Sequence, residues 1–199
     1  MDTATSEIAA CAARLIVEEG LEYGPAKHRA AKQLGMQRRV SLPGNDEIEA
    51  EVRDYIALFC ADSQPVELRA LRELARRWML RLAVFRPHLG GAVWRGTATR
   101  RNDVFLQLFC DDSKSAEIAL IDQRINFSAQ AMTGFTGYPV DALSIQDFCK
   151  TLQEHVGVHL LIYDYDDLRG ALKPDKSGFS RRGNLASLDI MLQPEAVNY

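Results

Sequence analysis

No apolar run in the sequence approaches the roughly 20 residues that a membrane-spanning helix requires, and no basic stretch followed by an apolar core opens it. Cysteine is sparse and scattered. Cys11, Cys60, Cys110 and Cys149 form no C-x-x-C pair, which argues against a zinc site and against a disulfide framework and suits small buried hydrophobes. Excess charge of either sign is missing too: a net charge of -3 and a pI near 5.8 give no general attraction to nucleic acid or acidic lipid. Any anion site must be local. The sequence also lacks a G-x-x-x-x-G-K-[ST] loop, a G-x-G-x-x-G fingerprint and a G-x-S-x-G elbow, which removes P-loop ATPases, Rossmann enzymes and α/β-hydrolases. These absences lead us to expect a reduced, cytoplasmic protein that makes no use of a membrane.

Hydrophobic content of 47% over 199 residues is enough for a real core. Helical spacing of Ile8, Cys11, Leu15 and Ile16 predicts a first helix over residues 6–19, stopped by Gly20. Pro25 can open a second, 26–34, closed by Gly35. That helix is basic, with Lys27, His28, Arg29 and Lys32, and Arg38 and Arg39 follow it. Asn45 is expected to cap a third helix with Ile48, Val52, Tyr55, Ile56 and Phe59 on one side. Asp62-Ser63-Gln64-Pro65 combines a cap, a turn and a helix-opening proline. It divides a helical N-terminal region, 1–62, from a second domain, 63–199. A long helix over 65–85 then buries Leu68, Leu71, Leu74, Trp78 and Leu82 and shows solvent a row of arginines, Arg69, Arg72, Arg76, Arg77 and Arg81.

The stretch 91–112, GAVWRGTATRRNDVFLQLFCDD, reads as strand, tight turn and strand. We place the first strand at 92–95; the other register, with Gly91-Ala92 as the turn, leaves only 87–90 for a strand. In the second strand side chains alternate, so Asp103, Phe105, Gln107 and Phe109 share one face. A fifth helix is expected from Asp112 through Ile121 and a strand over 126–132. A sixth helix then opens at Ser144 and Asp147, with Ile145, Phe148, Cys149, Leu152 and Val156 on its apolar side. Residues 158–163 read as a strand leading to Asp164, and Asn184 caps a last helix. His155 and His159 are four apart, but Gly157 between them marks a helix-to-strand change and argues against a paired-histidine metal site. The fold class is α+β: a mixed sheet of about four strands flanked by helices, behind a helical N-terminal region.

The segment GTATRRNDVFLQLF resembles the signature of the nucleotidyltransferase (polymerase β-like) superfamily. There a strand ends in a Gly-Ser or Gly-Thr turn and the next strand carries Asp-x-Asp or Asp-x-Glu. The resemblance covers residues 65–165 at fold level, and the flanking segments resemble a bacterial branch of that superfamily. It implies a site in which two carboxylates at i and i+2 hold Mg2+ and the metal neutralises a triphosphate. Carried onto this chain, Gly96 and Thr97 match the turn and Asp103 the first acid, but Phe105 occupies the second acid's place, and His159 stands where a later strand supplies a third. Arg95, Arg100 and Arg101 are the phosphate-binding candidates beside Gly96 and Thr97, Phe105 could stack on a base, and Asp164 is the candidate second metal ligand.

Three functions follow as expectations. The first is a nucleotidyltransferase-fold pseudoenzyme that binds a nucleotide or a protein partner and needs no certain cofactor. The second is an active Mg2+-dependent transferase pairing Asp103 with acids such as Asp164. The third is an interaction protein whose basic N-terminal helices grip nucleic acid, which the acidic balance of the chain disfavours.

Overall fold

A computed structural model describes residues 3–36, 40–172, 174, 178 and 180–193. Arg38, Arg39 and part of the expected loop at 173–183 lie outside the described residues. The chain divides into two compact units, Met1–Glu67 with Thr97–Arg101, and Leu68–Gly96 with Asn102–Tyr199.

The first unit is helical. Its helices are α1 (Thr3–Glu19), α2 (Tyr23–Gln33), α3 (Asn45–Phe59) and the first turn of α4 (Gln64–Arg81). Small residues Ala9, Ala12, Ala13, Ala26 and Ala30, all buried, let backbones approach closely, while Ile8, Leu15, Ile48 and Val52 fill the space between. Helix α3 is capped by Gly44, whose N–H donates to Glu47, rather than by Asn45, which is its first residue. Two cations of basic α2 are engaged, Lys27 by Asn45 and Arg29 by Glu19. A hydrogen bond to Glu18 pushes the Tyr55 phenol up to about 12, with burial adding to it. The segment Thr97–Arg101 belongs to this unit: Ala98 is fully buried and its carbonyl accepts from Gln64, and the Arg100 N–H donates to Glu67. Gly20, at φ 72°, is required here, because a Cβ on it would lie 2.7 Å from the Arg101 carbonyl oxygen.

The second unit is built on five strands, β1 (His88–Gly90), β2 (Val104–Cys110), β3 (Ser128–Thr133), β4 (Pro139–Cys149) and β5 (Glu154–Asp164). They form a mixed sheet in the order β1-β2-β5-β4-β3, with β2 and β5 parallel and the other pairs antiparallel. Between and after them come α5 (Gly91–Arg95), α6 (Ser115–Asp122), α7 (Leu168–Ala171) and α8 (Leu185–Leu192). The described residues thus form a mixed α+β fold of eight α-helices and one five-stranded sheet. One sheet face is apolar and buried: Leu89, Val104, Leu106, Leu108, Val158, Leu160 and Ile145. From α4, Trp78 donates its indole N–H to Asp147 on that face, and Arg77 pairs with the same carboxylate. The arginine row of α4 is otherwise engaged, Arg69 by Glu73, Arg72 by the Val93 carbonyl and Arg76 by Asp189.

Two expectations about elements are overturned. The first strand is His88–Gly90, not 92–95, which is helix α5: Gly91, at φ 68°, turns the chain off the strand, and Gly96, at φ 86°, ends the helix. The three residues pair with Phe105, Leu106 and Gln107 on one side, and Leu89 also bridges to Gly183 on the other. The expected sixth helix, 144–156, is a β-hairpin of β4 and β5, turning where Gln153 takes φ 56°. Ile145, Asp147 and Cys149 alternate with Ser144, Gln146 and Phe148, and pairing with β5 prevails over the helical spacing.

Candidate functional site

The register of three strands assembles the site. In the parallel pair Phe105 lies opposite His159, and in the antiparallel pair Ser144 lies opposite the same His159. Cross-strand neighbours point to one face, so Ser144, His159 and Phe105 form a row across β4, β5 and β2. Asp103, one residue before β2, projects on that face beside Gly157. The glycine is what admits it, because a Cβ there would meet the Asp103 carboxylate carbon at 2.6 Å.

Both carboxylate oxygens of Asp103 are engaged. Oδ1 accepts from the Gly157 N–H at 3.0 Å, and Oδ2 lies 3.0 Å from His159 Nε2. On its other side, His159 Nδ1 is 2.8 Å from Ser144 Oγ, which also receives the side-chain N–H of Gln130 at 3.1 Å. The Phe105 ring stacks on the imidazole with centroids 4.8 Å apart and planes 27° apart. The His159 side chain is 12% exposed and that of Asp103 47%, so the row starts in solvent and runs under cover.

The hydrogen bond from His159 holds the Asp103 carboxyl below the usual carboxylate range. Partial burial opposes this and the Gly157 N–H adds to it. An ionised carboxylate only accepts hydrogen bonds. Nε2 of His159 therefore carries a proton, and in the neutral imidazole Nδ1 presents a lone pair that accepts from the Ser144 hydroxyl. In that neutral tautomer the chain runs one way: Ser144 donates to His159, and His159 donates to Asp103.

These residues do not fit a magnesium centre. Phe105 replaces the acid at i+2, Asp103 is held by two donors, and among the described residues no group of three or more His, Cys, Asp or Glu is placed to hold a metal. The expected pairing of Asp103 with Asp164 is not made. Cys110 is the residue opposite Asp164, which puts Asp164 seven strand positions, about 23 Å at 3.3 Å per residue, from Asp103. Asp164 instead accepts the Asp166 N–H and caps the turn after β5.

The remaining candidates are distributed as follows. Phe105 shares the Asp103 face as expected and touches His159. Gly96 is the C-cap of α5 and Arg95 that helix's last residue, so the Gly-Thr pair is a helix terminus and not a turn between strands. Thr97, Arg100 and Arg101 belong to the helical unit, where the Thr97 hydroxyl donates to Glu49. Ser144 and Gln130 were not among the candidates. The signal for Ser144 was the alternation of Ser144 and Gln146 with Leu143 and Ile145, hidden by reading the segment as helix.

No protein-family model, no curated protein and no solved structure matches the chain.

Proposed function

We propose that the chain is a nucleotidyltransferase-fold protein that has given up metal-dependent transfer and acts by binding a nucleotide or a protein partner. The observation that carries this reading is Asp103. The residue that corresponds to the first metal ligand has both oxygens engaged by His159 and the Gly157 N–H, with Phe105 in place of its partner acid. The resemblance that remains, Asp103 and Phe105 two apart at the start of β2, suggests the fold family, the Gly96-Thr97 pair being a helix terminus. The adjacency of β2 and β5, which brings the first-acid and third-acid positions together, agrees with it. An active Mg2+-dependent transferase would need a second carboxylate beside Asp103, and Asp164 lies at the other end of β5.

Without a metal, the Asp103 charge repels a triphosphate, whereas Phe105 stacked on His159 offers a flat surface to a nucleobase. Calorimetric titration with adenosine, guanosine and their triphosphates, with and without Mg2+, tests this. Binding that favours the nucleoside and ignores Mg2+ is the expected result. No heat at millimolar nucleoside or nucleotide removes the nucleotide and leaves a protein partner. Transfer of labelled nucleotide that requires Mg2+ and is lost in Asp103→Asn overturns the reading.

A further inference from the structure

We infer that Ser144, His159 and Asp103 form a metal-independent nucleophilic relay that cleaves small carboxylic esters. A serine hydroxyl is a weak nucleophile until a neighbouring base takes its proton, and the base must be held in the tautomer that can do so. Here each requirement has a named atom. Ser144 Oγ is 2.8 Å from His159 Nδ1, within reach for proton transfer, and Nε2 is 3.0 Å from Asp103 Oδ2, which fixes the proton on the far nitrogen. The serine meets the ring at Nδ1 and the carboxylate at Nε2. The stack of Phe105 on the imidazole fixes the ring plane, and the absent side chain of Gly157 leaves room for the carboxylate. Asp103 acts through His159 and is a positioning residue.

In the reaction, Ser144 Oγ bonds to the ester carbonyl carbon while its proton passes to His159 Nδ1, and the carbonyl electron pair moves onto oxygen. When that pair returns, the bond to the leaving oxygen breaks and the leaving oxygen takes the proton from Nδ1, leaving an acyl group on Ser144. Water attacks the acyl carbon by the same relay, releasing the carboxylic acid and restoring the hydroxyl. Ester and water become acid and alcohol, and no redox partner or metal enters. Gln130, exposed and already donating to Ser144 Oγ, carries the amide N–H groups that can meet the oxyanion. A neutral ester suits the site better than a phosphoester. Gln130, the Gly157 N–H and Phe105, which contact the three residues, are uncharged, and the Asp103 carboxylate adds a negative charge that a phosphate would have to approach.

The test uses the full chain. A fluorophosphonate reagent is added at neutral pH, the adduct is located by peptide mass spectrometry, and hydrolysis of p-nitrophenyl acetate is followed in parallel. One adduct, on Ser144, is expected, absent in Ser144→Ala. Asp103→Asn is expected to lower kcat on the acetate by about 100-fold or more with KM within about twofold, because the amide favours the wrong tautomer. A wild-type chain that takes no label, takes it on another residue, or is labelled equally fast in Asp103→Asn overturns the inference. None of these readouts involves nucleotide or Mg2+, so they stand or fall apart from the binding reading above.

Discussion

The face of the sheet that carries Asp103 has two ends of opposite character. At the far end of β2 and β5, Phe109 is fully buried and its ring lies 5.7 Å from that of Tyr163, which in turn stacks on Phe135 at 4.5 Å. Ala142, Leu161, Leu168 and Ala171 pack around them, and burial pushes the Tyr163 phenol up. At the near end β5 presents His159, β4 presents Ser144 opposite it, and the residue before β2 is a half-exposed Asp103. Backbone pairing is common to both ends, so it cannot account for the difference. Coverage does: the chain leaving β5 folds its Leu168 and Ala171 onto the aromatic end. One end therefore excludes water and holds the sheet together, and the other leaves a polar chain partly open to solvent.

That contrast can be broken in steps. Phe109→Ala should have the largest effect, a loss of about 3–5 kcal/mol of stability from the emptied aromatic end, read as a lower denaturant midpoint. Gly157→Ala comes next. Its methyl group displaces the Asp103 carboxylate and removes two charge-assisted hydrogen bonds, for a loss of about 1–3 kcal/mol, and labelling of Ser144 should stop with it. Asp103→Asn sharpens the comparison through pH. The carboxyl is held low in the folded chain, so its contribution is fully present above the unfolded value of about 3.9 and is lost as pH falls through the lower native value. The stability gap between wild type and Asp103→Asn should therefore be widest above about pH 4 and should narrow as the solution is acidified, which midpoints measured between pH 2 and 6 would show. Smallest of all, Ser144→Ala removes two partly exposed hydrogen bonds, with His159 and Gln130, and should change stability by about 1 kcal/mol, with its main effect on chemistry. If Ser144→Ala proved as damaging to folding as Phe109→Ala, the two ends would not differ in kind.

The sequence made the Asp103 face legible because alternation within β2 needs no partner: Asp103 and Phe105 are two apart on any strand. It also pointed to His159 as the inward residue of a later strand, and the register confirms that neighbour. Ser144 was invisible for a physical reason. Residues 144–156 carry apolar side chains at spacings that fit a helix as well as a strand, and only the long-range pairing with β5 decides between them. The same holds for Asp164, whose distance from Asp103 depends on parallel register, a property no local pattern records. Gly91 misled in the opposite sense: its positive φ ends a strand that was too short for its residues alone to declare it.

Trp94 offers a different kind of consequence. Its indole N–H donates to the Ser180 carbonyl at 2.7 Å, and its ring lies over Gly183, where a Cβ would come within 1.9 Å of it, while Gly183 pairs with Leu89 at the edge of β1. The chain's other tryptophan, Trp78, belongs to the same unit, and the helical unit has none. Tryptophan fluorescence, excited at the red edge where Tyr23 and Tyr55 of the helical unit do not absorb, is thus an optical label for the sheet unit alone, while far-ultraviolet ellipticity sums both. Melting curves that coincide by the two signals would mean the units unfold as one cooperative block. A fluorescence transition standing apart from the ellipticity would resolve their separate stabilities without any added dye.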